Sequence, residues 1–383
     1  MATQPSSTYY SVKRFIGQQL KDTQNLATSV AYDVAADEEG AVQLACEAVE
    51  GGALYPEEVS AYILAELLSS AQAYLGRPVD RAVISVPAYF SFEQREATIQ
   101  AGRLAGLQTV KLVREPVAAA LAYGVVVEED ETVLVLDLGG GTWDVSILEV
   151  GGGTIEVLAT GGDASLGGDD FDNVIVEWLI EDHLKNADGV RSPVTTARLK
   201  ALAERAKISL SEAQRVALKL PIGGSDGKGM EVVLTRQHFE KLATTLFQRM
   251  RLAVDEACWQ AGVDLGTVME QYSAKSKKQK GTSVQVRPKR RAPITQVLMV
   301  GGATRMPAFK RFVRNMTGQE AKGAVVDPDE AVAIGAAMQA GLYDGIISGV
   351  MVMDIWQATL MRAFATQQLG MDNVEEASQA KSE

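Results

Sequence analysis

The densest chemistry in the sequence lies in Asp137-Leu138-Gly139-Gly140-Gly141-Thr142-Trp143-Asp144. Successive glycines let a backbone approach a phosphate closely and aim N–H groups at it. Asp137, at the end of the preceding strand, suits a magnesium ion held through water, because magnesium prefers carboxylate oxygens and keeps several waters. Thr142 adds a hydroxyl beside a terminal phosphate. The glycines alone would equally make a plain hairpin turn, since short motifs match by accident; the flanking aspartates and paired strands favour the phosphate. In Val300-Gly301-Gly302-Ala303-Thr304-Arg305-Met306-Pro307 a strand ends in two glycines ahead of a helix start. Bare backbone there suits a base and sugar, and Arg305 suits stacking on a purine face; alone, the segment is an ordinary strand-to-helix turn. Gly161-Gly162-Asp163 with Leu166-Gly167-Gly168-Asp169-Asp170-Phe171 is either a second glycine loop at a helix N-terminus or a capped helix, with Asp169 or Asp170 serving its first turn. Neither G-x-x-x-x-G-K-[ST] nor a G-x-G-x-x-G opening a helix after a strand occurs, which argues against a P-loop ATPase and a nicotinamide enzyme.

The elements that must position these motifs follow from periodicity. Val59, Ile63, Leu64, Leu67 and Leu68 recur at helical spacing and predict a helix over Pro56–Leu75, ended by Gly76 and Pro78. A buried strand is expected over Ala82–Val86 and a helix over Phe92–Ala105; Lys111–Val113 is too short to assign. Glu115-Pro116 opens a helix over Val117–Tyr123. Strands over Glu131–Asp137, Thr142–Leu148 and Ile155–Ala159 form a meander, followed by helices over Phe171–Leu184 and Val194–Leu210, a strand pair within Arg215–Leu234 and one long helix over Thr235–Ala261. A strand over Gln296–Val300 and helices over Pro307–Met316 and Asp329–Ala340 complete the body. Strands alternating with helices in mixed directions indicate an α/β fold of two lobes.

Bulk properties set limits. Of 383 residues, 46% are hydrophobic and 22% charged, enough for an ordinary core. The net charge of −12 argues against nucleic acid as the main partner. Cys46 and Cys258 lie far apart, giving no metal spacing or disulfide framework, which fits a reducing compartment. His183 and His238 are too few for a histidine triad or a multi-histidine metal site. No apolar run is long enough to span a bilayer, and Met1–Ser7 lacks the apolar core of a secretory signal. Lys275–Arg291 carries eight basic residues and no acidic ones, an exposed insertion set at 273–293; Asp372–Glu383 is an acidic, polar tail.

Together these segments resemble the ATPase domain of the DnaK-type 70-kilodalton heat-shock chaperones. Tyr10-Ser11-Val12-Lys13-Arg14-Phe15-Ile16-Gly17 is similar to the segment with that family's catalytic lysine. Val86-Pro87-Ala88-Tyr89-Phe90 with Gln94-Arg95 is similar to its proline-switch strand and helix, and Glu204-Arg205-Ala206-Lys207-Ile208-Ser209-Leu210-Ser211 to its adenosine-contacting helix. Glu115–Gly124 and Asp327–Ala337 resemble two further motifs, and the likeness runs from about Tyr9 to Asp354. It implies an actin-like fold, two lobes with ATP or ADP and Mg2+ in the cleft. It also implies roles: Lys13 stabilises the transferring phosphate; Glu115, Asp137 and Thr142 arrange metal, water and terminal phosphate; Gly139–Gly141 cradle the phosphates, with Gly167 and Gly168 near them. Glu204, Lys207, Ser211, Gly301, Gly302, Arg305 and Asp329 hold the nucleotide. Phosphoryl transfer needs mainly such positioning and charge stabilisation.

Departures from the family shape the expectations. Its strand, D-x-G-T-T loop and further strands precede the lysine segment, whereas only a short polar stub precedes Thr8 here. The first lobe (1–130) is therefore expected to be incomplete, with an exposed sheet edge and half of the phosphate clamp missing. Losing one preorganised donor costs ~10²–10³ in rate, so hydrolysis should be weak or impaired. The second lobe and closing helices span 131–348, residues 349–354 resemble the interdomain linker, and 355–383 is a short amphipathic segment and tail instead of the peptide-binding β-sandwich. The amphipathic part, with Leu360, Met361, Phe364 and Leu369 on one side, would pack on the protein itself or dock a partner. The resemblance implies a nucleotide-exchange factor and a J-domain co-chaperone as partners; Lys111 and Arg114 stand where the family has arginine and asparagine and put the J-domain coupling in doubt. Trp143 replaces a phenylalanine and should fit if the core has room. The competing readings are a non-catalytic pseudo-ATPase scaffold and a small-molecule kinase of the same superfold, the latter weakened by the lack of any sugar-site pattern. Cytoplasm or plastid stroma is the expected location.

Overall fold

The computed structural model of the chain describes residues 5–124, 130–185, 187, 189–223, 229–263, 265, 293–319 and 326–353. The basic stretch Lys275–Arg291 and the segment Ile355–Glu383 lie outside these residues. After short 3-10 turns and helix α1 (Gln24–Ala27), three strands form a small antiparallel sheet: β1 (Val34–Ala36), β2 (Val42–Ala45) and β3 (Ala53–Leu54). At two to four residues each, these strands are too short for a period-two pattern to announce them. They enclose a core of Phe15, Tyr32 and Leu44, with Tyr9 and Tyr10 edge-on to Tyr32 at 5.2 and 5.5 Å.

Helix α2 (Pro56–Leu75) starts on a proline after Tyr55, whose N–H donates to the Glu58 carboxylate at 2.7 Å, and stops at Gly76, which adopts φ 64°. Strand β4 (Arg81–Val86) leads into α3 (Phe92–Leu104), where Ser91 and Gln94 cap each other reciprocally. The crossover brings β5 (Thr109–Arg114) parallel to β4, settling the segment left unassigned from sequence. Helix α4 (Glu115–Ala122) begins directly at the end of β5.

Strands β6 (Glu131–Leu138), β7 (Trp143–Gly151) and β8 (Thr154–Asp163) form the expected antiparallel meander. Helix α5 (Gly168–Trp178) starts earlier than expected because Asp170 caps it, and Leu179–His183 continues as a π-helical turn. Helix α6 (Pro193–Glu212) is capped by Ser192, and the hairpin β9 (Arg215–Gly223) and β10 (Gly229–Thr235) follows. The single helix expected over Thr235–Ala261 is two, α7 (Arg236–Leu242) and α8 (Thr244–Ala261). Thr235 is a capping residue, and the Thr244 hydroxyl donates to the Lys241 carbonyl at 2.8 Å, competing with the helical ladder where the axis turns. After β11 (Gln296–Val300) come α9 (Pro307–Thr317), α10 (Ala331–Tyr343) and β12 (Met351–Met353). Helix α10 starts two residues later than expected because Asp327 binds the Asp329 N–H in a preceding turn. Part of the linker-like segment is thus a strand, parallel to β8.

The main sheet has the order β11-β6-β7-β8-β12, with parallel outer pairs and an antiparallel centre. Alternation along β6 sorts its side chains: Leu134, Leu136 and Leu138 face a core with Phe171, Met250 and Phe309, while Val133 and Val135 face α4 and α10. Trp143 is fully buried, with its indole N–H on the Met250 carbonyl at 3.2 Å and Phe309 edge-on at 5.7 Å. No helix among the described residues is long and apolar enough to cross a membrane.

Candidate nucleotide site

The β6–β7 register sets Asp137 opposite Asp144 and leaves residues 139–142 as the connecting turn. Gly139 donates its N–H to the Thr142 carbonyl at 3.1 Å. The start of α5 buttresses this turn: the N–H groups of Gly168 and Asp169 donate to the carbonyls of Gly139 and Gly140 at 2.9 and 2.8 Å. The amides of Gly140 and Gly141 stay outside these bonds. Gly167 donates to the Asp170 carboxylate at 2.8 Å. A Cβ at Gly167 would sit 2.6 Å from the Gly141 nitrogen, so only glycine lets the two turns meet. Gly167 and Gly168 therefore spend their amides on capping α5 and pinning the first turn, and line no part of the cleft.

A cleft of about 650 Å³ opens over the turn, walled by Lys13, Glu115, Asp137, Gly139, Gly140, Gly141 and Thr142, and further along by Glu204, Gly301 and Asp329. The first residue of α4 places Glu115 under Lys13, whose ammonium donates to it at 2.6 Å. Desolvation in the cleft works against the Lys13 charge, although 54% of its side chain stays exposed, and the carboxylates of Glu115, Asp144 and Asp137 outweigh it and hold its pKa above the ordinary value. Burial, then the Glu115 charge, push the Asp137 carboxyl up to about 7 against the pull of Lys13. Asp144 is raised well above its ordinary value by burial and then by Glu115 and Asp137, although the Thr142 hydroxyl donates to it at 2.9 Å.

Three carboxyl groups thus share one ammonium. Asp144 Oδ1 is buried without a hydrogen-bond partner in the protein. A hydrated divalent cation fits this cluster, which is short of positive charge and rich in the oxygens magnesium prefers. Among the described residues no group of three carboxylate, histidine or cysteine side chains could hold an ion unaided.

From sequence, Asp144 counted only as a flank of the glycine turn and Arg14 only as part of the lysine segment; neither was given a role of its own. The signal for Asp144 was its position across the turn from Asp137. Arg14 donates to the Gly141 carbonyl and faces Asp170 at 3.5 Å, tying the lysine segment to the glycine turn. Ser11, held at φ 55°, makes a second tie to Asp169 at 3.1 Å. Nothing in residue type alone marks these two.

The expected nucleoside residues divide. Gly301 adopts φ 86° against the Leu138 carbonyl, with Asp137 2.9 Å from where a Cβ would stand, so bare backbone faces the cleft. A Cβ on Gly302 would fall 2.6 Å from the Asp329 carboxylate. Arg305 sits at the rim, half-exposed and held by Asp327 at 2.5 Å and Asp329 at 2.9 Å. Lys207 lies behind the wall, donating to the Gly168 carbonyl at 2.8 Å and to Asp172 at 2.9 Å. Burial pushes Asp172 up to about 6, and Lys207 pulls it back. Ser211 lines a separate small hollow with Lys207, Phe239 and Met306.

A family model described as Hsp70 protein matches residues 1–271 and 287–374. The chain belongs to the Hsp70 family. It has that family's actin-like ATPase fold. The chain is 40% identical over 361 residues to the "Chaperone protein dnaK" of Phaeodactylum tricornutum, covering 93% of this chain and 54% of that protein. The corresponding protein of Cyanidioschyzon merolae is 42% identical over 362 residues, 93% of this chain and 55% of that one. "Heat shock 70 kDa protein 7, chloroplastic" of Arabidopsis thaliana is 41% identical over 361 residues, 93% and 46%. The chain spans about half the length of the curated relatives it matches. The Hsp70 match passes over residues 272–286, which overlap the basic stretch, and continues through the linker-like segment.

Proposed function

We propose that this chain binds ATP or ADP with Mg2+ in the cleft and hydrolyses ATP weakly, as a nucleotide-binding unit related to the DnaK-type chaperones. The observation that carries this reading is the convergence of Lys13, Glu115, Asp137, Thr142 and the Gly139–Gly141 turn on one cleft whose volume suits a small-molecule ligand. Gly140 and Gly141 would offer amides to phosphate, Asp137 would hold magnesium through water, and Gly301, Arg305 and Glu204 would border the nucleoside. Bound magnesium neutralises phosphate charge. Lys13, oriented by Glu115, is placed to stabilise charge on a transferring phosphoryl group. Weak turnover is proposed because, among the described residues at the cleft, the groups that would contact phosphate are this one glycine turn, Thr142 and Lys13. A J-domain co-chaperone and a nucleotide-exchange factor are the partner classes the family implies. Coupling to the first should be poor, since Lys111 on β5 lies over the Tyr343 ring at 5.9 Å. Plastid stroma or bacterial cytoplasm is the proposed location, two of the relatives being named as chloroplast proteins.

Calorimetric titration with Mg-ATP and Mg-ADP, alongside single-turnover hydrolysis, tests this. Micromolar binding with slow turnover abolished by Lys13→Ala is expected. Binding without turnover would replace the enzyme by a scaffold, and absence of binding would overturn the reading.

A further inference from the structure

The glycine turn is held by its carbonyls, and the three that are held come in a row. The N–H groups of Gly168 and Asp169 donate to the carbonyls of Gly139 and Gly140 at 2.9 and 2.8 Å, and the Arg14 guanidinium donates to that of Gly141. No cis peptide occurs among the described residues. In a trans peptide the N–H of the following residue points opposite to the carbonyl. Fixing the carbonyls of 139, 140 and 141 therefore fixes the amides of Gly140, Gly141 and Thr142, which donate to no backbone group among the described residues. Three successive free amides make an anion-binding concavity.

The three holders differ in origin. Gly168 and Asp169 open α5, and Phe171 on that helix shares one core with Leu138 and Trp143 on either side of the turn. Arg14 arrives from 127 residues away in sequence. Its neighbours Val12 and Phe15 belong to a second core and Ile16 to a third. Two amides are thus set by the body that carries the turn, and the third is set only when the lysine segment is seated on it. The seat is close. The Arg14 side chain is 11% exposed and faces Asp170 at 3.5 Å, and a Cβ on Gly141 would stand 2.8 Å from Arg14 Nε. The Ser11 hydroxyl fastens the same segment to Asp169 at 3.1 Å.

We propose that Arg14 is a positioning residue: by holding the Gly141 carbonyl it aims the Thr142 amide, and so couples phosphate binding to the seating of the lysine segment. This rests on the nucleotide reading of the cleft. Because Lys13 precedes Arg14, the same seating sets the ammonium beside the turn. By linkage, bound phosphate holds the segment down as strongly as the segment improves the phosphate site.

The test uses calorimetry of the full chain with Mg-ADP and with adenosine, and amide spectra of the 15N-threonine-labelled chain. Arg14→Met keeps the stem and loses the donors. It should weaken Mg-ADP roughly 10–100-fold and leave adenosine within about twofold. Arg14→Lys should recover part of the loss. Gly141→Ala pushes the guanidinium off the carbonyl while keeping its charge, so combining it with Arg14→Met should add little to either alone. The Thr142 amide proton, identified by its loss in Thr142→Ser, should move downfield with saturating Mg-ADP in wild type and stay in place in Arg14→Met. Additive losses, or the same Thr142 shift in both proteins, would show that Arg14 acts by charge alone and overturn the positioning role. Mg-ADP binding indifferent to Arg14→Met would also overturn it, with the nucleotide reading intact. A wild type that binds neither ligand would overturn both.

Discussion

Gly335→Ala should be among the most damaging single-methyl changes in this protein. Gly335 lies in the middle of α10, facing α4. A Cβ there would stand 2.7 Å from the Ala118 Cα and closer still to the Ala118 carbonyl. These are backbone atoms of a helix whose residues Val117 to Leu121 are all buried, so no side chain can rotate aside. On an open helix the substitution would stabilise by ~1 kcal/mol, because alanine propagates helix better than glycine. Here overpacking, ~1–3 kcal/mol and more where backbone must move, reverses the sign. We expect a net loss of about 2–3 kcal/mol. The two helices must also separate, and α4 begins at Glu115, so the Lys13–Glu115 contact should loosen and nucleotide affinity fall with it. Urea unfolding followed by circular dichroism measures the first effect and calorimetry the second. Gly341→Ala is the control, since its added methyl would meet only the flexible Ile347 side chain, at 2.9 Å. An unfolding midpoint for Gly335→Ala at or above that of Gly341→Ala would refute the reasoning.

Three further outcomes are expected. Asp137 has its folded-state pKa raised from 3.8 to about 7 by burial and the Glu115 charge. The folded state therefore binds this proton more tightly than the unfolded chain, and the stability this contributes below pH 4 is lost as pH rises through 7. Without magnesium, the stability advantage of Asp137→Asn over wild type should open between these values and level off above, by about 1–2 kcal/mol for a group that lines an open cleft; a pH-independent difference in urea unfolding would count against it. Lys207→Ala strands Asp172, whose side chain is 10% exposed, and should cost ~3–5 kcal/mol, much of it recovered by Lys207→Met with Asp172→Leu; equal losses in the single and double variants would refute the pairing. Arg305→Ala removes exposed contacts and should leave unfolding nearly unchanged, while ADP affinity drops by ~1 kcal/mol if the guanidinium stacks on the base.

Much of this architecture was legible because local signals agreed. Proline and paired caps framed α2, α3 and α6, and the glycine turn between Asp137 and Asp144 marked a meander with chemistry at its bend. The failures have equally local causes. Strands of two to four residues carry no period, so β1–β3 left no trace. The break at Ala243 depends on a hydroxyl choosing a carbonyl, which hydrophobic spacing does not register.

At the site, residues adjacent in sequence to a glycine turn could be assigned, but residues that serve it from afar could not. Gly167 and Gly168 read from sequence as either a second glycine loop or the start of a capped helix, and in the structure they cap α5 and buttress the first turn. Lys207 looks like a ligand-binding cation, yet it anchors that buttress through the Gly168 carbonyl and Asp172. Arg14 holds the far side of the same turn through Gly141. A rigid phosphate turn needs its carbonyls and neighbouring helix start fixed before its amides can be aimed, since preorganisation is what makes such donors effective. The cations flanking the motif divide by geometry: Lys13 pairs with Glu115 in the cleft, Arg14 lines the cleft while holding the Gly141 carbonyl, and Lys207 lies behind the wall on the Gly168 carbonyl. Substituting Arg14 or Lys207 should consequently impair phosphate binding through the shape of the turn, whereas substituting Lys13 should impair turnover with the turn intact.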